Sequence, residues 1–251
     1  MIISQGQWLR WGHVWFDDEP EDAKVDAVSY MQRTHPLRGA RCSSFYTILN
    51  DLSQSPEELL AQVSKNTRYK IRRAADRDRV TYAFWNLNSL DVLERFCEFF
   101  DRFAFLKGLA EADISDLRAF AEAGVLDISR VGGEDGRDLV WHTHYRSKTR
   151  ARLLQSASLF RGVRDNTFRN LIGRANRFHH WQDMLRFKRE GILVYDFGGW
   201  YEGDTDQEKL RINRFKEEFG GAVVRNYNCV RLITTKAHLV FAVGKLLGRV
   251  S

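Results

Sequence analysis

From Arg150 onward the chain alternates strand and helix patterns, and this order narrows the folds open to it more than any other feature. Arg150 to Phe160 reads as a basic strand, and Asn166 to Lys188 is the longest helix pattern in the chain. Next comes Ile192 to Phe197, an apolar run short enough for a buried strand, which runs out in Asp196-Phe197-Gly198-Gly199. Asp206 to Phe219 predicts a second helix, closed by Phe219-Gly220-Gly221, and Val223 to Ile233 another strand. Helices of this length between strands require a sheet with helices packed on it, an α/β (α+β) architecture.

The upstream residues supply the rest of such a sheet. Residues 1–54 read as strands: an opening strand with Trp8 and Trp11, a strand or short helix at Val25 to Met31, and a strand at Ser43 to Leu52. Ser55-Pro56-Glu57-Glu58 starts a helix, because serine caps, proline suits the first helical position and the acids favour the positive end of the dipole. A second, strongly basic helix spans Lys65 to Ala75, and Val80 to Trp85 is a strand. Leu90 to Phe105 and Ser115 to Glu122 are helix patterns. Val125 to Val131 and Asp138 to Tyr145 form a hairpin around Gly132-Gly133-Glu134-Asp135-Gly136. Proline is scarce and nothing marks a linker, so residues 1–251 are expected to form one domain. Its first 54 residues would be either an extension or a degenerate second module, and residues 55–251 the core.

The formal net charge of +6 favours an anionic partner such as a phosphate-bearing cofactor, a nucleic acid or a lipid surface, although the same charge also serves solubility. Cys42, Cys97 and Cys229 are too widely spaced for a metal site or a disulfide framework, which predicts reduced thiols and a cytoplasmic protein. No secretory signal and no membrane-spanning run is visible. The apolar stretch Ala237 to Leu247, with Lys236, Lys245 and Arg249 around it, predicts a terminal core helix, with peripheral contact at the inner face of a membrane as the other reading.

Three motifs in order give the chain a resemblance. Thr67 to Ala74 has the form Thr-Arg-x-x-Ile-Arg-x-Ala, Tyr195 to Gly199 the form Tyr-Asp-x-Gly-Gly, and Phe215 to Gly220 the form Phe-Lys-x-x-Phe-Gly. Together with two strands, helix, strand, helix, strand from Asp138 on, they resemble the FemABX aminoacyltransferases and their acetyltransferase-like relatives within the GNAT fold. The resemblance covers roughly residues 55–230. It implies a central mixed, mostly antiparallel sheet flanked by helices. It also implies transfer of an acyl or aminoacyl group to an amine, in cell-envelope or polysaccharide biosynthesis. The length suits a single module with an acyl-CoA or acyl-carrier-protein donor and no metal. Aminoacyl-tRNA as donor, and a non-catalytic module holding RNA or anionic lipid, are the alternatives.

In that fold two parallel strands part, and the donor's amide arm lies along the exposed edge. The resemblance places the edge at Leu153 to Leu159, with Gln155, Ser156 and Ser158 beside the donor. It places the phosphates at the turn Arg161, Gly162, Arg164 and Asn166, where arginines and free helix amides suit an anion, and equally suit solvent. Lys216, beside Phe215 on the stripe Ile212, Phe215, Phe219, is implied to contact the donor phosphate or to ease charge at the carbonyl. As a surface lysine it would snorkel instead. Asp196 either orients the amine and takes its proton or caps the loop around Gly198 and Gly199. Tyr195 and those glycines would border the acceptor.

His142 and His144 alternate on one strand and share a face, with Tyr145 on the other. His144 is a candidate base, and a metal pair there lacks an acidic or thiol partner in sequence. Arg174, Asn176 and His180 on the long helix either reach the acceptor or flank an apolar stripe. Arg68 and Arg72 on the basic helix either hold a phosphorylated acceptor or tRNA, or face solvent.

Overall fold

The computed structural model describes residues 1–86 and 90–246. One sheet runs through the molecule, in the order β1-β2-β3-β10-β4-β9-β8-β7-β6-β5. Its strands are β1 (Ile2–Gln5), β2 (Arg10–Trp15), β3 (Ala27–Arg33), β4 (Arg41–Asp51), β5 (Thr81–Asn86), β6 (Leu126–Gly132), β7 (Asp138–Arg146), β8 (Arg150–Ser158), β9 (Val194–Trp200) and β10 (Ala222–Leu232). Neighbours are antiparallel except β2 with β3 and β8 with β9. The mixed, mostly antiparallel sheet anticipated above is therefore present. The N-terminal strands belong to this same sheet, with β4 inserted between β9 and β10.

The helices are α1 (Pro56–Gln62), α2 (Lys65–Asp76), α3 (Leu90–Lys107), α4 (Ile114–Glu122), α5 (Asn166–Arg189), α6 (Gln207–Glu217) and α7 (Thr235–Leu246). Local chemistry starts them where expected. Ser55 and Glu58 form a reciprocal cap on α1, Ser64 caps α2, and Asp165 caps α5 by accepting from the amides of Thr167 and Phe168. On one sheet face α5 buries Ile172, Ala175, Phe178, Trp181, Met184 and Phe187 with Tyr195 and Phe197 of β9. On the other, α3 and α4 bury Phe96, Phe99 and Phe120 with Trp141 and Tyr145 of β7. The terminal helix forms, with Ala237 fully buried; Leu247 and Arg249 lie outside the described residues, as does the side chain of Lys245. Among the described residues no helix is long and apolar enough to cross a membrane.

The expectation for the cysteines is corrected. Cys42 and Cys229 face each other across the β4–β10 ladder and are joined as a disulfide, while Cys97 is a buried free thiol. The pair is separated by 187 residues, so only the strand register reveals it. A thiol count on unfolded, unreduced protein should find one reactive group. Reduction should lower stability by about 2–4 kcal/mol in a denaturant titration. Three thiols before reduction would show that the bridge does not form.

A candidate active site where two parallel strands part

The parallel strands β8 and β9 pair only at Arg150–Val194, Ala151–Tyr195 and Arg152–Asp196. Both then change register against their outer neighbours. Between Thr143–Gln155 and His144–Leu153 the β7–β8 ladder gives β8 one extra residue, Leu154. Between Thr47–Gly199 and Leu49–Asp196 the β4–β9 ladder gives β9 one extra residue at Phe197-Gly198. A bulge bends its strand and strengthens the local twist, so two bulges on adjoining strands drive them apart. The β8 bulge also reverses the alternation of side chains. Leu153, Ser156 and Ser158 therefore open on the same cavity, while Gln155 is bound to Thr143 and takes no part in the lining.

The cavity between the parted strands, α5 and α6 measures about 850 Å3. Lys216, Phe215, His180, Asn176 and Phe197 line it together with Leu153, Ser156 and Ser158. Lys107, Arg161, Arg169, Arg177, Arg211 and Arg214 add positive charge, against the carboxylates of Glu208 and Glu218. Glu208 takes Arg161 and Lys107, and Glu218 takes Arg177 through two hydrogen bonds of 2.7 and 3.0 Å.

Lys216 is 8% exposed and donates from Nζ to the carbonyls of Gly198 and Gly199. Burial pushes its ammonium down to about 8, against the pull of Asp196 and with added repulsion from Arg152. Gly198 has φ +70°, and a Cβ there would stand 2.9 Å from the carbonyl of Leu153, so glycine is what permits β9 to turn at the mouth of the opening. Gly198→Ala should cost about 1–3 kcal/mol in a denaturant titration. Gly199→Ala, whose Cβ would meet Phe45 at an ordinary 3.7 Å, should cost clearly less. Equal costs would remove the special role of Gly198.

Asp196 lies elsewhere. It is fully buried and accepts hydrogen bonds from Gln32, Thr47, Arg150 and the amide of Gly198. Tyr195 and Phe197 point to α5, so Asp196 points to the opposite face of the sheet and does not line the cavity. A carboxylate so fully occupied holds the glycine turn; it is not positioned to take a proton in the cavity.

His144 is also fully buried and away from the lining. It belongs to a cluster in which Asp183 of α5 accepts from His142 Nδ1 at 2.7 Å and from the Tyr82 hydroxyl at 2.8 Å, with His144 Nε2 3.6 Å away. The Tyr195 hydroxyl lies between His144 Nε2, at 3.2 Å, and His180 Nδ1, at 3.1 Å. His142 Nε2 approaches Asn176 Oδ1 at 3.2 Å, and His179 Nε2 meets Ser129 at 2.8 Å. Burial lowers His144 to about 4 and takes His179 and His180 well below the ordinary imidazole value, although Asp183 opposes it in each case. Burial alone would raise Asp183, but the surrounding imidazoles hold it far below the usual carboxylate range.

His142, His179 and Asp183 offer ligand atoms within 4.8 Å of one another. The two rings stack 3.7 Å apart and 5° from parallel. Metal ligation needs the ion near the plane of each ring, so a shared ion would require one of them to turn.

The phosphate turn is only partly at the cavity. Arg161 lines it, Gly162 borders a neighbouring hollow against Leu106, and Arg164 and Asn166 are exposed outside it. Two of the α5 amides expected to be free for an anion, those of Thr167 and Phe168, are taken by Asp165. Arg174 is locked in a two-point ion pair with Asp78, Arg68 caps the carbonyls of Leu60 and Ala61, and Arg72 is exposed on α2. Arg177, Arg211, Arg214 and Glu218 had not been singled out. Glu218 sits inside the Phe-Lys-x-x-Phe-Gly motif and also accepts from Thr67, so it ties the first motif to the third.

The sequence matches no family model and no curated protein. Solved structures do match. FemX aligns with TM-score 0.57 at 16% identity, over 79% of this chain and 63% of its own, so the chain spans under two thirds of that protein. The C-terminal domain of a putative lysylphosphatidylglycerol synthetase from Agrobacterium fabrum aligns with TM-score 0.56 at 16% identity, over 87% of this chain and 72% of its own. L-PGS from Bacillus licheniformis aligns with TM-score 0.52 at 14% identity, over 88% and 73%. The fold is FemABX/GNAT-like. The parting of β8 from β9 after Arg152 falls at the strand where the resemblance placed the exposed edge, Leu153 to Leu159.

Proposed function

We propose that this protein transfers an acyl or aminoacyl group from a phosphate-bearing carrier to an amine, by direct attack in the cavity between β8 and β9. The observation that carries the reading is the opening itself: β8 loses its partner after Arg152, and Lys216 stands beside the vacated edge. An exposed strand edge pairs with an amide-containing arm, and cationic side chains around the mouth favour phosphates. Lys216, when protonated, would stabilise negative charge developing on the carbonyl oxygen, and burial strengthens that interaction. Holding donor and amine together in the cavity supplies the remainder, and no covalent enzyme intermediate is invoked.

The donor is either an acyl-CoA or acyl-carrier thioester, or an aminoacyl-tRNA. The second is favoured by a specific feature: Thr67 of the basic helix α2 donates to Glu218 at the cavity, which joins that helix to the cavity rim. The name lysylphosphatidylglycerol synthetase, carried by one similar structure, supports an aminoacyl rather than a simple acyl group.

The test is a thermal-shift screen with acetyl-CoA, longer acyl-CoAs, nucleotide sugars and aminoacyl-tRNA, followed by transfer assays with amine acceptors. A ligand present at a hundred times its Kd raises stability by about 2.7 kcal/mol. Stabilisation by a CoA thioester assigns the first donor class, and tight retention of aminoacyl-tRNA with transfer assigns the second. Binding without transfer would leave a non-catalytic module for RNA or lipid.

A further inference from the structure

Two buried polar paths run from Asp183 to the cavity: one through His142 to Asn176, and a second that joins a 3.6 Å ion-pair contact to two hydrogen bonds and carries the inference. The second starts at Asp183, passes His144 and the Tyr195 hydroxyl, and ends at His180, which lines the cavity beside Phe197 and Phe215, with ring centroids 4.9 and 5.4 Å away. We infer that His180 presents Nε2–H to the cavity as a neutral donor for the oxyanion of the transferred carbonyl, its tautomer set by Asp183 through His144 and Tyr195. The inference rests on the transferase reading and deepens it.

The direction of the chain follows from proton counting. The Asp183 carboxylate is a pure acceptor 3.6 Å from His144 Nε2, so it favours a proton on that nitrogen over a bare lone pair. His144 Nε2–H then donates to the Tyr195 oxygen. The phenol has one hydrogen, and it is left to donate to His180 Nδ1. A neutral imidazole that accepts at Nδ1 carries its hydrogen at Nε2, the nitrogen the ring has left for the cavity.

The groups around this ring agree. From α5 come Asp183 and His179, from β7 His142 and His144, from β9 Tyr195, from α6 the ring of Phe215 and from the turn after it that of Phe219. Burial among them keeps His180 uncharged, and a neutral imidazole polarises a carbonyl without carrying a net charge into the site. Lys216 supplies the second, charged donor to the same cavity.

In the reaction the amine nitrogen bonds to the carbonyl carbon, and the C=O π pair moves to oxygen, where His180 Nε2–H and Lys216 hold it. Collapse restores the carbonyl and breaks the bond to the carrier's sulfur or oxygen. That atom leaves with the electron pair and takes up the proton lost by the amine. His180 gives up no proton in the cycle.

Two measurements test this. The first is long-range 1H–15N NMR on protein labelled at histidine, which reads the tautomer with no substrate present. His180 should be protonated at Nε2 and His144 at Nε2, and Tyr195→Phe should shift His180 towards Nδ1–H. A wild-type His180 protonated at Nδ1 overturns the assignment, whichever donor is found.

The second compares His180→Gln, whose amide N–H reaches near the Nε2 position, with His180→Phe, which keeps the shape but has no donor. Transfer from the acyl-CoA or aminoacyl-tRNA selected by the screen should fall less than tenfold for glutamine. For phenylalanine it should fall on the order of a hundredfold, the usual consequence of losing one oxyanion donor, with donor binding retained. Equal rates for the two variants overturn the oxyanion role. Absence of transfer by the wild type from every donor removes the transferase reading, and the oxyanion role with it, while the tautomer result still reports on the chain.

Discussion

Lys216→Met abolishes transfer and leaves the protein at least as stable as the parent. The two halves of this expectation have the same cause. An ammonium 8% exposed has surrendered most of its hydration, and burial brings it down to about 8. Because its folded value lies below its unfolded one, the charged lysine opposes folding at neutral pH. The penalty, about 3 kcal/mol at most, disappears as pH rises from about 8 past 10.5. Methionine fills the same space with no charge, so it escapes the penalty and loses only the hydrogen bonds to Gly198 and Gly199. The charge is what the carbonyl oxygen or the donor phosphate would use, and its removal should cost transfer at least a hundredfold. Single-turnover rates and a denaturant titration on the same preparation measure both. Wild-type transfer should also fall as pH rises through about 8, as Lys216 loses its proton. A methionine variant that transfers normally, or one that fails to fold, removes Lys216 from the role given to it.

The second large effect is in acid. His144, His179 and His180 are held neutral by burial, below their unfolded value of about 6.5. The unfolded chain therefore binds more protons than the folded one as pH drops from 6.5 towards 4, and stability must fall across that window. His144 alone accounts for about 3 kcal/mol, and the other two push in the same direction. Asp183 acts in the same direction in a lower window: its depressed carboxyl stabilises the fold above its unfolded value of about 3.8, and that share is lost only in stronger acid. A stability titration by urea from pH 7.5 to 4 should show a steep decline beginning near 6.5. Asp183→Asn should lower stability by about 1–3 kcal/mol at pH 7, because it takes the carboxylate acceptor from the buried His142 ring and the Tyr82 hydroxyl. A flat profile between pH 6.5 and 4.5 would mean that water reaches these histidines.

Much of the fold was legible because local chemistry and hydrophobic period agreed. Ser55, Pro56 and Glu58 announce α1, and the periodic apolar residues of α5 mark the longest helix of the described residues. His142 and His144 do share a face, and Tyr145 does stack on the other side, against Trp15. What the sequence hid depends on register. The disulfide needs Cys42 and Cys229 to be placed opposite each other across 187 residues, and no local pattern reports that. The bulge at Leu154 shifts the alternation by one, which puts Ser156 and Ser158 at the cavity and turns Gln155 away. Asp196 was legible in retrospect, because Tyr195 and Phe197 already assign its neighbours to the α5 face. The basic residues divided on ion pairing. Arg174 and Arg68 have structural partners, whereas Arg161 and Arg177 reach the cavity with carboxylates beside them.

The slot itself is open to a direct measurement, amide hydrogen exchange along β8 in the free protein and with donor. The amides beyond Arg152 that face away from β7 have no strand partner on that side, so they should exchange quickly in the free protein and slow saturably as donor is added. Slow exchange at those amides without any ligand, unchanged by donor, would mean that β8 and β9 stay joined and that the cavity is not where the carrier binds.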